Sequence, residues 1–109
     1  MYNKIKVYLA GPYTKGNPTL NTYKILDIAN ELVKEGFIPF IPHLSHFWHT
    51  YTPYPYEHWL KYDNEWLKSC KCLLRIKGES KGADKEVKLA KKLGMPVFYS
   101  IKKLKEFYE

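Results

Sequence analysis

Residues 70–90 decide the fold: Cys70-Lys71-Cys72-Leu73-Leu74-Arg75-Ile76, then Lys77-Gly78-Glu79-Ser80-Lys81, then Gly82-Ala83-Asp84-Lys85-Glu86-Val87-Lys88-Leu89-Ala90. The first run, Cys70 to Ile76, is nearly continuous apolar and predicts a central strand, covered on both faces. Lys77 to Lys81 reads as a loop, and the third run predicts a helix with Ser80 able to cap it. Backbone N–H groups and the positive end of a helix dipole gather where a strand feeds a helix, which makes a natural anion site. Glu86 stands in the first turns of that helix. An acid so placed either stabilises its own helix or does chemistry on a ligand that it faces.

Working outward, Lys4 to Ala10 reads as a first strand and Gly11 to Pro18 as a loop, by its Gly and Pro content. A helix is predicted from about Leu20 to Glu35, where Ile25, Ile28, Ala29, Leu32 and Val33 recur at three- and four-residue spacings before Gly36. Phe37 to Ile41 is a second strand, and Pro39 inside it predicts an edge position. Pro42 to Pro55 reads as a long aromatic loop. Tyr56 to Ser69 is a second helix with Trp59, Leu60, Trp66 and Leu67 as its apolar positions. After the Glu86 helix, Leu93 to Pro96 is a stop, Val97 to Tyr99 a fourth strand and Ile101 to Tyr108 a terminal helix.

Strands alternating with helices imply parallel pairing and right-handed crossovers. The expected architecture is an α/β three-layer sandwich with a small parallel sheet in the order 2-1-3-4, Rossmann-like or flavodoxin-like. With 109 residues, 45% of them hydrophobic, one domain spanning residues 1–109 is expected. Ligands in such sheets bind beyond the carboxyl ends of the strands at the switch point, here between strands one and three.

Composition narrows the partners. No stretch approaches the ~20 apolar residues of a membrane span. Met1 to Lys6 leads into a strand without a signal peptide, so no membrane association and a cytoplasmic location are expected. The net charge is +7, but Arg75 is the only arginine and the lysines are scattered over predicted helix faces. Bidentate recognition of nucleic acid is therefore not expected, while a positive field favours a small phosphorylated ligand. Cys70 and Cys72, one residue apart, suit neither a disulfide nor a four-ligand zinc site and read as reduced and structural. His43, His46 and His49 have no helical ligand spacing and no interleaved carboxylate, so no metal is expected, and no other cofactor either. The aromatic loop around them is expected to form a lid whose rings stack on a planar base.

Four segments together resemble the nucleoside 2'-deoxyribosyltransferase superfamily, near the nucleoside 5'-monophosphate N-glycosidases: Val7-Tyr8-Leu9-Ala10-Gly11-Pro12, Ile41-Pro42-His43, Asp63-Asn64-Glu65-Trp66-Leu67, and Ser80-Lys81-Gly82 through Glu86. The resemblance implies an N-glycosidase acting on a nucleoside or nucleoside 5'-monophosphate, with or without transfer of the sugar to a second base. It implies Glu86 as the catalytic glutamate, Tyr8 as the hydroxyl that orients it and Asp63 as the proton donor to the departing base. Cleaving an N-glycosidic bond does require an ionised carboxylate near the sugar and an acid near the base. Gly11, Pro12, Tyr13 and His43 are expected to line the substrate site. Ser80, with the amides of Lys81, Gly82 and Ala83, would accept a phosphate without repelling it. Asp84, on another side of the helix from Glu86, would bind sugar hydroxyls or the dipole. A homodimer or larger homo-oligomer is implied as well, with Trp59 and Tyr62 as interface residues. The rival reading is a non-catalytic nucleotide-binding or sensor domain.

Overall fold

The computed structural model describes residues 3–109, apart from the side chain of His46. Met1 and Tyr2, at the start of the expected lead into the first strand, lie outside the described residues, as does any role for the His46 ring. Strands β1 (Lys6–Ala10), β2 (Ile38–Phe40), β3 (Cys72–Arg75) and β4 (Val97–Phe98) form a parallel sheet in the order β2-β1-β3-β4. Helices α1 (Pro18–Lys34), α2 (Ser45–Tyr51), α3 (Tyr56–Ser69), α4 (Lys81–Lys92) and α5 (Ile101–Tyr108) surround it. The α/β sandwich and its strand order are those expected, with Pro39 on an edge strand.

Strand alternation divides the interior into two layers. Val7, Leu9, Cys72 and Leu74 pack against Ile25, Ala29 and Leu32 of α1 and Leu104 of α5. Tyr8, Ala10 and Leu73 face the other way, onto Leu67 of α3 and Ala83, Val87 and Ala90 of α4. Three helices start on side-chain caps: Asn17, Ser80 and Ser100 accept hydrogen bonds from the amides of Leu20, Ala83 and Lys103. These caps place each helix start just beyond a strand or loop, so α4 begins at the carboxyl edge of the sheet.

Several expectations need correction. Pro42 to Pro55 is not a loop throughout: Pro42–Leu44 forms a 3-10 turn and Ser45–Tyr51 a helix. Aromatic residues disguised the run His43 to Thr52, which has neither Gly nor Pro and lays Trp48 on α3. Trp48 meets Trp59 and Tyr62 edge to face, at 5.4 and 5.6 Å between ring centres, and Tyr54 stacks on His58 at 4.0 Å. His49 Nδ1 accepts from Trp59 Nε1 at 2.8 Å and from the Tyr54 amide at 3.3 Å. Trp59 and Tyr62 are therefore half-buried in a small aromatic core instead of freely exposed. Of the apolar positions expected along α3, only Leu67 is buried, and Trp66 is 44% exposed. Cys70 caps α3 instead of beginning β3. Both cysteines are free and buried, and burial pushes their thiols up to about 11, which leaves them inert.

Candidate active site

Tyr8 and Phe40 are register partners on neighbouring strands, and Arg75 is the partner of Ala10. By alternation all three side chains project onto the face that α3 and α4 cover. Tyr8 is fully enclosed. Its ring stacks on Phe40 with centres 5.5 Å apart and planes at 27°, and Phe40 stacks on Trp66 at 5.1 Å and 15°. The stack fixes the phenol so that its hydroxyl donates to Glu86 Oε2. Residues 78 positions apart in the chain are thereby joined.

Glu86 is half-buried, and desolvation raises its carboxyl to about 7 against the opposing pull of the Tyr8 hydrogen bond and the Arg75 charge. Asp63 is also raised to about 7, by burial first and by the negative charge of Glu86 second. Its Oδ1 is buried and makes no hydrogen bond. Two coupled carboxyls of this kind share protons as a pair. The ionised form is favoured on Glu86, which has a donor and a cation to support it; Asp63, with an anion facing it, keeps the proton. The Tyr8 hydroxyl is raised far above its ordinary value by burial and by Glu86, so it stays protonated and acts as a donor. Near neutral pH the arrangement offers one carboxylate and one acid.

At the start of α4, Ser80 Oγ accepts from the Ala83 amide at 3.1 Å. That bond engages one of the amides expected to face an anion, leaving those of Lys81 and Gly82 without an intrahelical partner. A side chain on Gly82 would meet the Tyr56 hydroxyl at 3.5 Å, so Tyr56 lies over this first turn. Asp84 is an ion-pair partner of Arg75, Oδ1 to Nη2 at 3.0 Å.

The remaining expected residues gather on the α1 flank. Asn21 Nδ2 donates to the carbonyls of Tyr13 and Lys15 at 2.9 and 2.8 Å, pinning the first loop. Buried His43 donates from Nε2 to the Pro12 carbonyl at 2.8 Å, and Tyr13 meets its ring edge-on at 5.6 Å. Desolvation lowers the His43 pKa, so the ring is neutral at physiological pH. Gly11 has no room for a side chain, since a Cβ there would stand 2.8 Å from Ile76 Cβ. Gly78, at φ +127°, lets its loop pass against Pro12, where a Cβ would stand 2.6 Å from Cγ. A cleft of about 230 Å³ opens here, lined by Gly11, Pro12, Lys15, His43, Lys77 and Glu79. The sequence reading put all these residues in one site. The structure brings Tyr8, Asp63 and Glu86 together on one flank of the strand ends and sets Gly11, Pro12, Tyr13 and His43 on the other. Among the described residues no three His, Cys, Asp or Glu side chains converge to hold a metal ion.

Sequence reasoning missed Arg75, Tyr56 and the Phe40–Trp66 stack. Arg75 carried a usable signal, as the lone arginine at the carboxyl end of a central strand. The stack carried none, because nothing local places β2 beneath α3.

Together these features define a Rossmann-like α/β domain with a buried tyrosine and two carboxyls coupled at the carboxyl ends of its strands. Residues 5–99 match the family described as a domain of unknown function (DUF4406), and the chain belongs to that family. No curated protein matches the chain. No helix among the described residues is long and apolar enough to cross a membrane.

Proposed function

We propose that the protein is an N-glycosidase that cleaves the base–sugar bond of a nucleoside or nucleoside 5'-monophosphate. The observation that carries this reading is the Tyr8 hydroxyl bonded to a half-buried Glu86 that is coupled to Asp63. The Asp63 carboxyl protonates a ring nitrogen of the base as the C1'–N bond breaks, and the bonding pair leaves with the base. Positive charge develops on C1' and the ring oxygen, where the Glu86 carboxylate stabilises it or bonds to C1'. Water then takes the sugar at C1' and returns a proton to the carboxyl pair; a second base in place of water gives transfer. The motif resemblance to the deoxyribosyltransferase superfamily supports the same roles.

The experiment is base release, followed by chromatography, from a panel of nucleosides and their 5'-monophosphates, with one free base added to catch transfer. Release by the wild type that is lost in Glu86→Gln supports the glycosidase. A specific observation favours the sensor as second reading: the lysine-lined cleft opens on the flank away from Glu86. Nucleotide binding that Glu86→Gln leaves intact, with every substrate unbroken, would establish the sensor instead.

A further inference from the structure

Arg75 is out of character for its residue type. Its side chain is only 11% exposed, whereas arginine is rarely buried unless paired. It donates from Nη1 to the Ile76 carbonyl, and from Nη2 to the Gly78 carbonyl at 2.8 Å and Asp84 Oδ1 at 3.0 Å. Two of these acceptors are neutral. The third, the Asp84 carboxylate, is 67% exposed, so water screens it while the guanidinium faces the enclosed side of the ion pair. The geometry brings Arg75 to the same covered face as Glu86: it stands two residues along β3 from Leu73, the register partner of the Tyr8 that bonds Glu86, and it reaches Asp84, two residues before Glu86 on α4. Tyr8 from β1, Arg75 from β3 and Asp63 from α3 are the ionisable groups that act on Glu86 or respond to it, and Asp84 on its own helix acts through Arg75. Arg75 is the cation among them.

We infer that Arg75 is a positioning residue for the carboxyl pair: clamped on Ile76, Gly78 and Asp84, its charge keeps Glu86 the anionic member and leaves the proton on Asp63, with Asp84 setting the strength of that bias. The inference rests on the glycosidase reading for its catalytic meaning, though not for its electrostatics. It differs from a purely structural clamp, in which Arg75 merely ties the 76–78 loop to α4. A clamp needs the fork of donors; a bias needs the charge. Arg75→Lys keeps charge without the fork, Arg75→Gln loses both, and Asp84→Asn keeps an acceptor for Nη2 while removing the counter-charge.

The test follows the Glu86 carboxyl carbon by NMR in protein labelled at glutamate Cδ, with its signal assigned by Glu86→Gln, across pH and without substrate. Arg75→Gln should move the Glu86 midpoint up by about one pH unit, as for loss of a nearby opposite charge. Arg75→Lys should stay within a few tenths of the wild type, and Asp84→Asn should move the midpoint down. The acid limb of the pH profile of base release should move with each midpoint. Midpoints unchanged in Arg75→Gln and Asp84→Asn, or shifted in the same direction, would overturn the inference. Should Arg75→Gln fail to fold, Asp84→Asn alone decides, because a downward shift is required. A wild type that releases no base sinks the glycosidase reading, while the titration still decides the role of Arg75.

Discussion

Replacing Tyr8 with phenylalanine removes one oxygen from a fully enclosed ring whose place on Phe40 a phenylalanine can keep. What is lost is the hydroxyl donor to Glu86 Oε2. A hydrogen bond to a charged group is worth about 1.5–3 kcal/mol net, and because it favours the ionised carboxylate, removing it raises the Glu86 midpoint by about one to two units. From about 7, the midpoint moves to roughly 8–9. At pH 7 the ionised fraction then drops from about one half to about one tenth or less, so base release falls roughly five- to fifty-fold. The assay is the pH dependence of base release in wild type and Tyr8→Phe, with thermal melts at pH 5.5 and 8.5 beside it. The melts should show a larger deficit at the higher pH, where the donor faces a carboxylate, than at the lower, where Glu86 carries its own proton. An acid limb that stays in place, or a deficit equal at all pH values, would refute the assignment of Tyr8 as the donor that sustains the Glu86 anion.

The pair itself makes stability depend on pH. Both carboxyls have folded midpoints near 7, above their ordinary values of 4.5 and 3.8, so the folded protein binds protons more tightly than the unfolded chain. Stability should therefore decline as pH rises from about 4 to about 7 and level off above, by several kcal/mol for the pair. Asp63→Asn should abolish base release yet melt at a higher temperature than the wild type at pH 8, a trade-off common at functional sites; a lower melting temperature there would contradict the electrostatics. Gly11→Ala drives a Cβ to 2.8 Å from Ile76 Cβ and should cost about 1–3 kcal/mol in urea denaturation, with an unchanged midpoint counting against the close approach. His49→Ala leaves the Trp59 indole N–H and the Tyr54 amide without their acceptor, at about 2 kcal/mol. Tryptophan emission should shift to the red as the α2–α3 aromatic core loosens, and an unmoved spectrum would show that the His49 bonds are dispensable.

Part of the candidate site rests on signals spanning a few residues: Ser80 in a capping position and Glu86 in the helix that follows a central strand. Tyr8, inside its strand, became a candidate only through the family resemblance. Asp63 was legible as a helix residue, but its burial, its unpartnered oxygen and its coupling to Glu86 were not. The aromatic stretch 42–55 misled as to its secondary structure, because ring-rich sequence has the same look in a loop as in a short helix packed on Trp59 and Tyr62.

From the sequence alone came the alternation of strands and helices, the parallel sheet with Pro39 at its edge and the capped start of α4. Periods of two and 3.6 residues and the chemistry of caps act over a few positions, so they can be read along the chain. Folding in three dimensions alone determined which flank of the strand ends each loop occupies, that His43 lies with Pro12 and away from Glu86, that Trp66 lies on Phe40, and that Arg75 reaches Asp84. Those outcomes depend on sheet register and crossover paths, where a shift of one residue turns a side chain to the opposite face.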